Sequence, residues 1–248
     1  MIHLNLEFDI LKPQKALAGY VQAIWSASVK PDTTQTVRKQ LLSDAGTGVV
    51  FILQNEVQID GEWQTPGGVV LLPISILAHQ VCLPPGAVMT GVRFHPAVGY
   101  QLFGKRLEQL LRIQDDHPLA SSALATFESL QTARSPYARI STLYRWVQTL
   151  IEEYERSMSA TLLNNLQGPS VSARESAIFR NGWGGITPKH YQRIKRVKHT
   201  LEQLRAQPDL TLSELALEQG FSDQAHMTRE CKQIARMTPK QYVRKRNL

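Results

Sequence analysis

Apolar residues recur at two different periods along the chain, and the change of period divides it. Between Tyr20 and Phe94 they come in short runs bounded by turn residues: Tyr20–Val29, Thr47–Leu53, Val57–Trp63, Val69–Leu72, Ile76–Leu83 and Ala87–Phe94. Gln54–Asn55–Glu56 separates two of these runs as a hairpin turn would, Gly67–Gly68 punctuates, and Pro84–Pro85–Gly86 forces a turn. Short strands at this spacing predict a β-barrel or a sandwich. After His95–Pro96, Ala97–Gly104 and Leu107–Ile113 read as short helices. Asp115–Pro136 is a Ser/Ala/Thr-rich connection with one weak helix. From Pro136 the period changes: Ile140, Leu143, Tyr144, Val147, Leu150, Ile151 and Tyr154 alternate at three and four residues, which predicts a helix with an apolar stripe over about four turns. That stripe suits either a dimerisation helix or packing against the chain's own neighbouring parts.

The helical period continues to the end. Tyr191, Ile194, Val197, Leu201 and Leu204 share one face of a helix predicted over Pro188–Gln207, which Pro208 stops. Leu212, Leu215 and Ala216 mark a short helix, Gly220 permits the turn that ends it, and Phe221 is an apolar anchor. Ser222 predicts the N-cap of the next helix, with Asp223 near its positive end. At about 100° per residue, Met227, Cys231 and Ile234 of that helix fall together towards a core. Ala225, Arg229, Lys232 and Arg236 fall on the opposite side, flanked by Gln224 and Thr228. Thr238–Pro239 starts a last helix ending in Arg244–Lys245–Arg246. The expected fold class is α+β: a β-barrel or sandwich-like N-terminal domain over 1–115, a connection over 116–136, a helical linker over 137–168, and an all-α domain over 169–248.

Charge sharpens this division. The 248 residues carry a net +7, but residues 169–248 hold 15 Lys+Arg against 7 Asp+Glu, while residues 1–168 hold 13 against 14. All of the excess positive charge therefore sits in the helical third, which points to a polyanion-binding domain joined to a neutral one. A small residue, amides or hydroxyls, and a line of cations on one helix face suit the major groove of DNA; a solvated basic face is the plainer alternative. No apolar run approaches the roughly 20 residues of a membrane span. The N-terminus lacks the basic and apolar regions of a signal peptide. Cys82 and Cys231 have neither the number nor the spacing of a metal site or disulfide framework. The expectation is a cytoplasmic protein with no membrane partner.

The β-rich part shows no catalytic constellation. His79 and His95 stand alone, without the His-x-His and carboxylate set of a cupin-type metal site. A Ser nucleophile motif, a Walker loop and a dinucleotide fingerprint are absent, and Gly46–Thr47–Gly48 is too short to cradle phosphate. The chain is therefore expected to be no enzyme and to carry no metal or cofactor. Trp25, Phe51, Trp63, Phe94 and Tyr100 are either pocket-lining residues or core. Arg93, set in an apolar strand, either meets an anionic ligand or pairs with an acid such as Asp44.

The run Gly220–Phe221–Ser222–Asp223–Gln224–Ala225–His226, then Thr228–Arg229–Glu230 and Thr238–Pro239 with Tyr242, resembles the second helix-turn-helix of an AraC/XylS-type transcription regulator, in register from Ser222 to Pro239. Leu42–Ser43–Asp44–Ala45–Gly46, Pro84–Pro85–Gly86 and Gly91–Val92–Arg93–Phe94–His95–Pro96 resemble the β-rich domain of one branch of that family. The resemblance implies two helix-turn-helix units joined by a long helix, here Pro188–Gln207, each placing a helix in the major groove. Ser172, Gly185 and Thr187–Pro188–Lys189 stand at the first unit's spacing, with Arg174 early in its recognition helix. Between them the pattern degenerates: Ser176, Ala177 and Ile178 replace core and polar types, and Asn181–Gly182–Trp183–Gly184–Gly185 disfavours helix, each interior Gly costing roughly 1 kcal/mol. In the second unit, Cys231 replaces a usual Phe and Arg236 a usual Gly.

The resemblance thus implies a sequence-specific DNA-binding transcription regulator whose second unit dominates base reading. Arg229 and Gln224 are expected to read base edges, with Ala225, His226 and Thr228 beside them, Lys232 and Arg236 at phosphate, and Arg174 and Lys189 contributing from the first unit and the long helix. The alternative is a protein-interaction co-regulator with weak or non-specific DNA binding. Expected partners are double-stranded DNA, with RNA polymerase, a homodimer, and a small-molecule effector or protein partner at the N-terminal domain as further candidates.

Overall fold

A computed structural model describes residues 5–103, 107–164, 188–207 and 210–246. Its first half contains ten strands: β1 (Leu6–Leu11), β2 (Val21–Val29), β3 (Val37–Leu41), β4 (Thr47–Gln54), β5 (Val57–Ile59), β6 (Glu62–Gln64), β7 (Val69–Leu72), β8 (His79–Leu83), β9 (Val88–Phe94) and β10 (Leu111–Arg112). They form a six-stranded sheet in the order β1-β2-β9-β4-β7-β10 and a four-stranded sheet in the order β3-β8-β5-β6. The two sheets do not close on each other, so this part is a sandwich and not a closed barrel.

Period-two alternation explains the layering. In β4, Val49 and Phe51 face one way while Val50 and Ile52 face the other; in β7, Val69 and Leu71 oppose Val70 and Leu72. One set meets the four-stranded sheet through Val57, Ile59, Val81 and Leu83. The other meets helices α1 (Pro96–Phe103), α2 (Ala120–Thr132) and α3 (Pro136–Asn164). The six-stranded sheet is thus covered on both faces, which is why its central strands read as continuous apolar runs. Gly99 lets α1 sit directly on β4, since a Cβ there would fall 1.7 Å from Thr47 Oγ1. The apolar stripe of α3 is spent on this sheet: Ile140, Leu143, Val147 and Ile151 are buried there. Arg139 Nε donates to Ser26 Oγ at 2.7 Å and the Tyr20 hydroxyl to Glu155 Oε1 at 2.7 Å, which pushes the Tyr20 pKa up to about 12.

Two local expectations are corrected. Thr47–Leu53 and Val57–Trp63 do not pair across Gln54–Asn55–Glu56; β4 and β5 lie in different sheets. The hairpin is instead β5–β6, turning at Asp60 (φ 50) and Gly61 (φ 92), the paired positive φ values of a tight two-residue turn. The stretch Leu107–Ile113, expected as a helix, holds the short strand β10, which pairs with β7.

The helical part comprises α4 (Pro188–Ala206), α5 (Leu212–Glu218), α6 (Gln224–Ala235) and α7 (Pro239–Arg246). Their core is Ile194, Val197, Leu201 and Leu204 of α4 against Leu215, Phe221, Met227, Cys231 and Ile234. Ala45, Leu42, Ile74 and Ile76 of the β-rich part pack into the same cluster. Residues 165–187, which include Ser172, Arg174 and the rest of the expected first helix-turn-helix unit, lie outside the described residues.

Candidate nucleic-acid interface and the sandwich cavity

Helix α5 starts at the N-cap Thr211, whose Oγ1 accepts the Glu214 N–H at 3.3 Å and donates to Glu214 Oε2 at 2.6 Å. It ends at Gly220, whose φ of 72° turns the chain back. The Phe221 N–H then reaches Ala216 O at 2.9 Å and the Gly220 N–H reaches Leu217 O at 3.0 Å. Phe221 is buried, under the Arg196 guanidinium at 4.5 Å from its ring centroid and edge-on to His226.

The N-cap of α6 is Asp223, one residue later than expected. Its carboxylate accepts the His226 N–H at 2.6 Å, while Ser222 Oγ lies 3.1 Å from His226 Nδ1. A charged oxygen complements the positive helix end better than a hydroxyl, and that same backbone donor holds the Asp223 carboxyl below the usual range.

Helix α6 presents the two expected faces. Met227, Cys231 and Ile234 are buried; Gln224, Ala225, Arg229 and Lys232 are exposed, with His226 and Thr228 half-buried. Gln224 Oε1 accepts from the Ser213 hydroxyl at 3.1 Å, which ties the first turn of α6 to α5 and leaves its amide N–H groups outward. Arg236 is not part of the helix: it follows the last turn in the left-handed conformation, φ 54°, and is exposed. Lys189 is exposed in the first turn of α4. Arg174 lies outside the described residues.

Sequence reasoning did not isolate the group that fixes α6 against α4. Glu230 is 8 % exposed and accepts from Arg193 Nε at 2.8 Å, with Arg193 Nη2 at 2.6 Å and Arg196 Nη2 at 3.7 Å. Burial pushes its carboxyl up, but the Arg193 hydrogen bond and the charges of Arg193, Arg196 and His226 outweigh burial and hold it below the ordinary value. The sequence signal was an acid on the inward side of α6 and two arginines three residues apart on α4.

A second feature lies in the sandwich. A cavity of about 560 Å³ opens between the two sheets and reaches α4 at Lys198. Its walls are apolar, with Ile10, Val21, Trp25, Val81 and Met89, and its cations are Lys12, Lys39, Arg93 and Lys198. Asp44 is the acid in this wall and is already engaged: Arg93 Nε donates to it at 3.1 Å, and Arg93 Nη2 bonds both Asp44 and Gly46 O. Arg93 Nη1 and His79 Nε2 are two of several buried side-chain atoms that have no hydrogen-bond partner among the described residues. Burial, with the charge of Arg205 added, lowers the Lys39 pKa. His95 is pushed down by burial against the pull of the Ala18 carbonyl that accepts from its Nε2.

The aromatic residues divide. Phe51 and Phe94 are core, Trp25 is buried at the cavity wall, and Trp63 is 58 % exposed on β6. Gly46–Thr47–Gly48 serves close strand packing, since a Cβ on Gly46 would meet Phe94 O at 2.3 Å. His79 Nδ1 meets Asp60 at 2.5 Å, and no group of three metal-ligating side chains occurs among the described residues. No helix of the described residues is long and apolar enough to cross a membrane.

Comparison with known proteins adds two family matches. Residues 175–245 match a helix-turn-helix domain family, and residues 9–114 match a domain family of unknown function, DUF6597. No curated protein matches the chain. Among solved structures, ToxT from Vibrio cholerae shares 9% identity over 96% of this chain and 98% of that one, with a TM-score of 0.39. ToxT with a bound unsaturated fatty acid shares 10% over 97% and 95%, at 0.36. KdgF from Halomonas sp. shares 10% over 38% of this chain and 82% of that one, at 0.28. All three are loose likenesses. The helix-turn-helix match thus lies over α4–α7 and takes in the ordered motif from Gly220 to Tyr242, while the match to the domain of unknown function lies over the β-rich part.

Proposed function

We propose that this chain is an AraC-type DNA-binding transcription regulator that reads base sequence chiefly through α6, with Arg229 and Gln224 at base edges and Ala225, His226 and Thr228 beside them. One observation supports this most: the inward face of α6 is buried and clamped by Glu230, while Gln224, Ala225, Arg229 and Lys232 are exposed on the other face. A rigid helix with outward cations and amides suits a major groove. Lys232, Arg236 and Lys189 supply phosphate contacts, with the helix N-termini after Asp223 and Thr238, and Arg174 supplies what the first unit retains. Residues 169–248 form the DNA-binding domain; residues 1–115, with the helical 116–168 packed on them, form a regulatory domain without catalytic activity of its own. The site of action is the cytoplasm.

Selection of bound duplexes from a random pool by the purified full chain tests this reading. A single short motif is expected. A motif in two parts about one helical turn apart would mean that both units read bases. Binding without sequence preference would favour a co-regulator that acts through protein contacts.

The cavity supports a second proposal: an effector that is an amphipathic anion. Its support is the charge imbalance of an apolar cavity, whose lining holds Lys12, Lys39, Arg93 and Lys198 against one carboxylate, Asp44. Calorimetry with decanoate, and with decanol as the uncharged control, tests it. Decanoate is expected to bind, and more weakly to Lys39→Ala; equal binding of both compounds would remove the electrostatic argument.

A further inference from the structure

Helices α5 and α6 end in different ways. The end of α5 closes on its own backbone through Gly220 and Phe221. The last two carbonyls of α6 are met from the sandwich: the Ala78 N–H reaches Ile234 O at 2.9 Å, and Gln40 Nε2 donates to Ala235 O at 2.8 Å. Arg236, which follows, holds the left-handed conformation that glycine usually fills at a helix end. We infer that Gln40, a residue of the β-sandwich, is a positioning residue for DNA reading: its amide completes the C-terminal end of α6 and fixes the angle at which the helix presents Arg229. The inference rests on the reading of α6 as the base-reading helix.

The two donors are built in. Gln40 lies on the edge strand β3 opposite Gln80, while its neighbours Lys39 and Leu41 line the cavity. The alternation of a strand puts Gln40 on the other face, towards α6. The segment that follows β3 and the loop that carries Ala78 are tied together, since the Ser43 hydroxyl donates to Ser75 O at 2.5 Å. Ser75 Oγ in turn accepts the Leu77 N–H at 3.1 Å, which aims the Ala78 N–H. Leu42, Ile74 and Ile76 from the same loops pack into the core that holds Met227, Cys231 and Ile234.

The leverage is geometric. A helix of 12 residues is about 18 Å long at 1.5 Å per residue. A swing of about 5° at its C-terminal end moves its first turn by about 1.5 Å, which exceeds the roughly 0.5 Å tolerance of a positioned polar contact. Base contacts depend on that placement; phosphate contacts through long, flexible lysines depend on it far less.

The test uses the full chain with Gln40→Met, Gln40→Glu and Gln40→Lys, a duplex selected by the wild-type chain, and a scrambled duplex of the same length. Gln40→Met and Gln40→Glu are expected to bind the selected duplex about tenfold more weakly, the scale of one lost hydrogen bond to a helix end. Binding to the scrambled duplex should change less than about twofold, because counterion release is unaffected. Amide exchange in the last turn of α6 should speed up in both. Gln40→Lys, which keeps a donor and suits the negative helix end, should restore specific binding. Wild-type specific affinity in the Met and Glu variants, or a loss in Gln40→Lys equal to that in Gln40→Met, would overturn the inference. An equal loss on both duplexes would also overturn it, by assigning Gln40 a merely structural role. If Gln40→Glu does not fold, the Met and Lys variants decide. If the wild-type chain selects no duplex, the base-reading proposal fails, and the exchange comparison alone decides whether Gln40 holds α6.

Discussion

The sandwich and the helical part each bury an acid against arginine, and the surroundings of the two acids differ. Burial pushes the Asp44 carboxyl up, but the charge and hydrogen bonds of Arg93 prevail and hold it at about 2. Lys39 and Lys198 share its cavity, so the positive charge there exceeds what one carboxylate can answer. Glu230 faces two arginines of α4, and that whole group is spent on fixing α6 to α4. The cations left over in the helical part, Arg229 and Lys232 among them, point outward. Surplus charge enclosed by apolar walls suits a small amphipathic anion. Surplus charge on the outside of a clamped helix suits a polyanion too large to be enclosed.

This contrast can be broken first at Asp44. Asp44→Ala leaves Arg93 largely buried with no carboxylate, and breaking such a pair is expected to cost about 3 kcal/mol in urea unfolding. Titration reads the same pair. The Asp44 pKa falls from 3.8 to about 2 on folding, worth about 2 kcal/mol at 1.36 kcal/mol per unit. Because the folded value is the lower one, this stability is present above about pH 4 and is lost as the pH falls towards about 2. Unfolding curves across that window should show the loss, and Asp44→Asn should flatten it.

The clamp on α6 should respond less. Glu230→Gln keeps the shape and one acceptor, so a loss of about 1–2 kcal/mol is expected in thermal melts, with specific DNA binding weakened alongside. Smaller still is Lys232→Ala. It should lower the slope of log affinity against log salt by about 1 and leave sequence preference intact.

Most of the helical part was legible because its determinants are local. The apolar spacing of α4, Gly220 after α5 and the opposed faces of α6 all lie within one or two turns of sequence. The strands β2, β4, β7 and β9 were legible as runs, but their partners were not. Strand β1 carries a readable alternation in Leu6, Phe8 and Ile10. Strand β3 is Val-Arg-Lys-Gln-Leu, an edge strand whose polar residues look like a loop until β8 pairs with it. The Asp60–Gly61 turn was a local signal hidden inside what read as one run. Of the site, the α6 residues were legible through their order. Glu230 was not isolated, because its role depends on α4 lying across it. Gln40 could not be found at all: its contact with Ala235 spans 195 residues of sequence.

The claim at the centre of this account is that α6 reads bases through Arg229. Duplex selection by the wild-type chain and by Arg229→Ala, under one salt concentration, tests it most directly. The account predicts that the variant loses preference at one or two adjacent positions of the motif, at a cost of about 1–3 kcal/mol for the wild-type base, and keeps its binding to random duplexes within a few-fold. The same motif, equally sharp, from both proteins would contradict it.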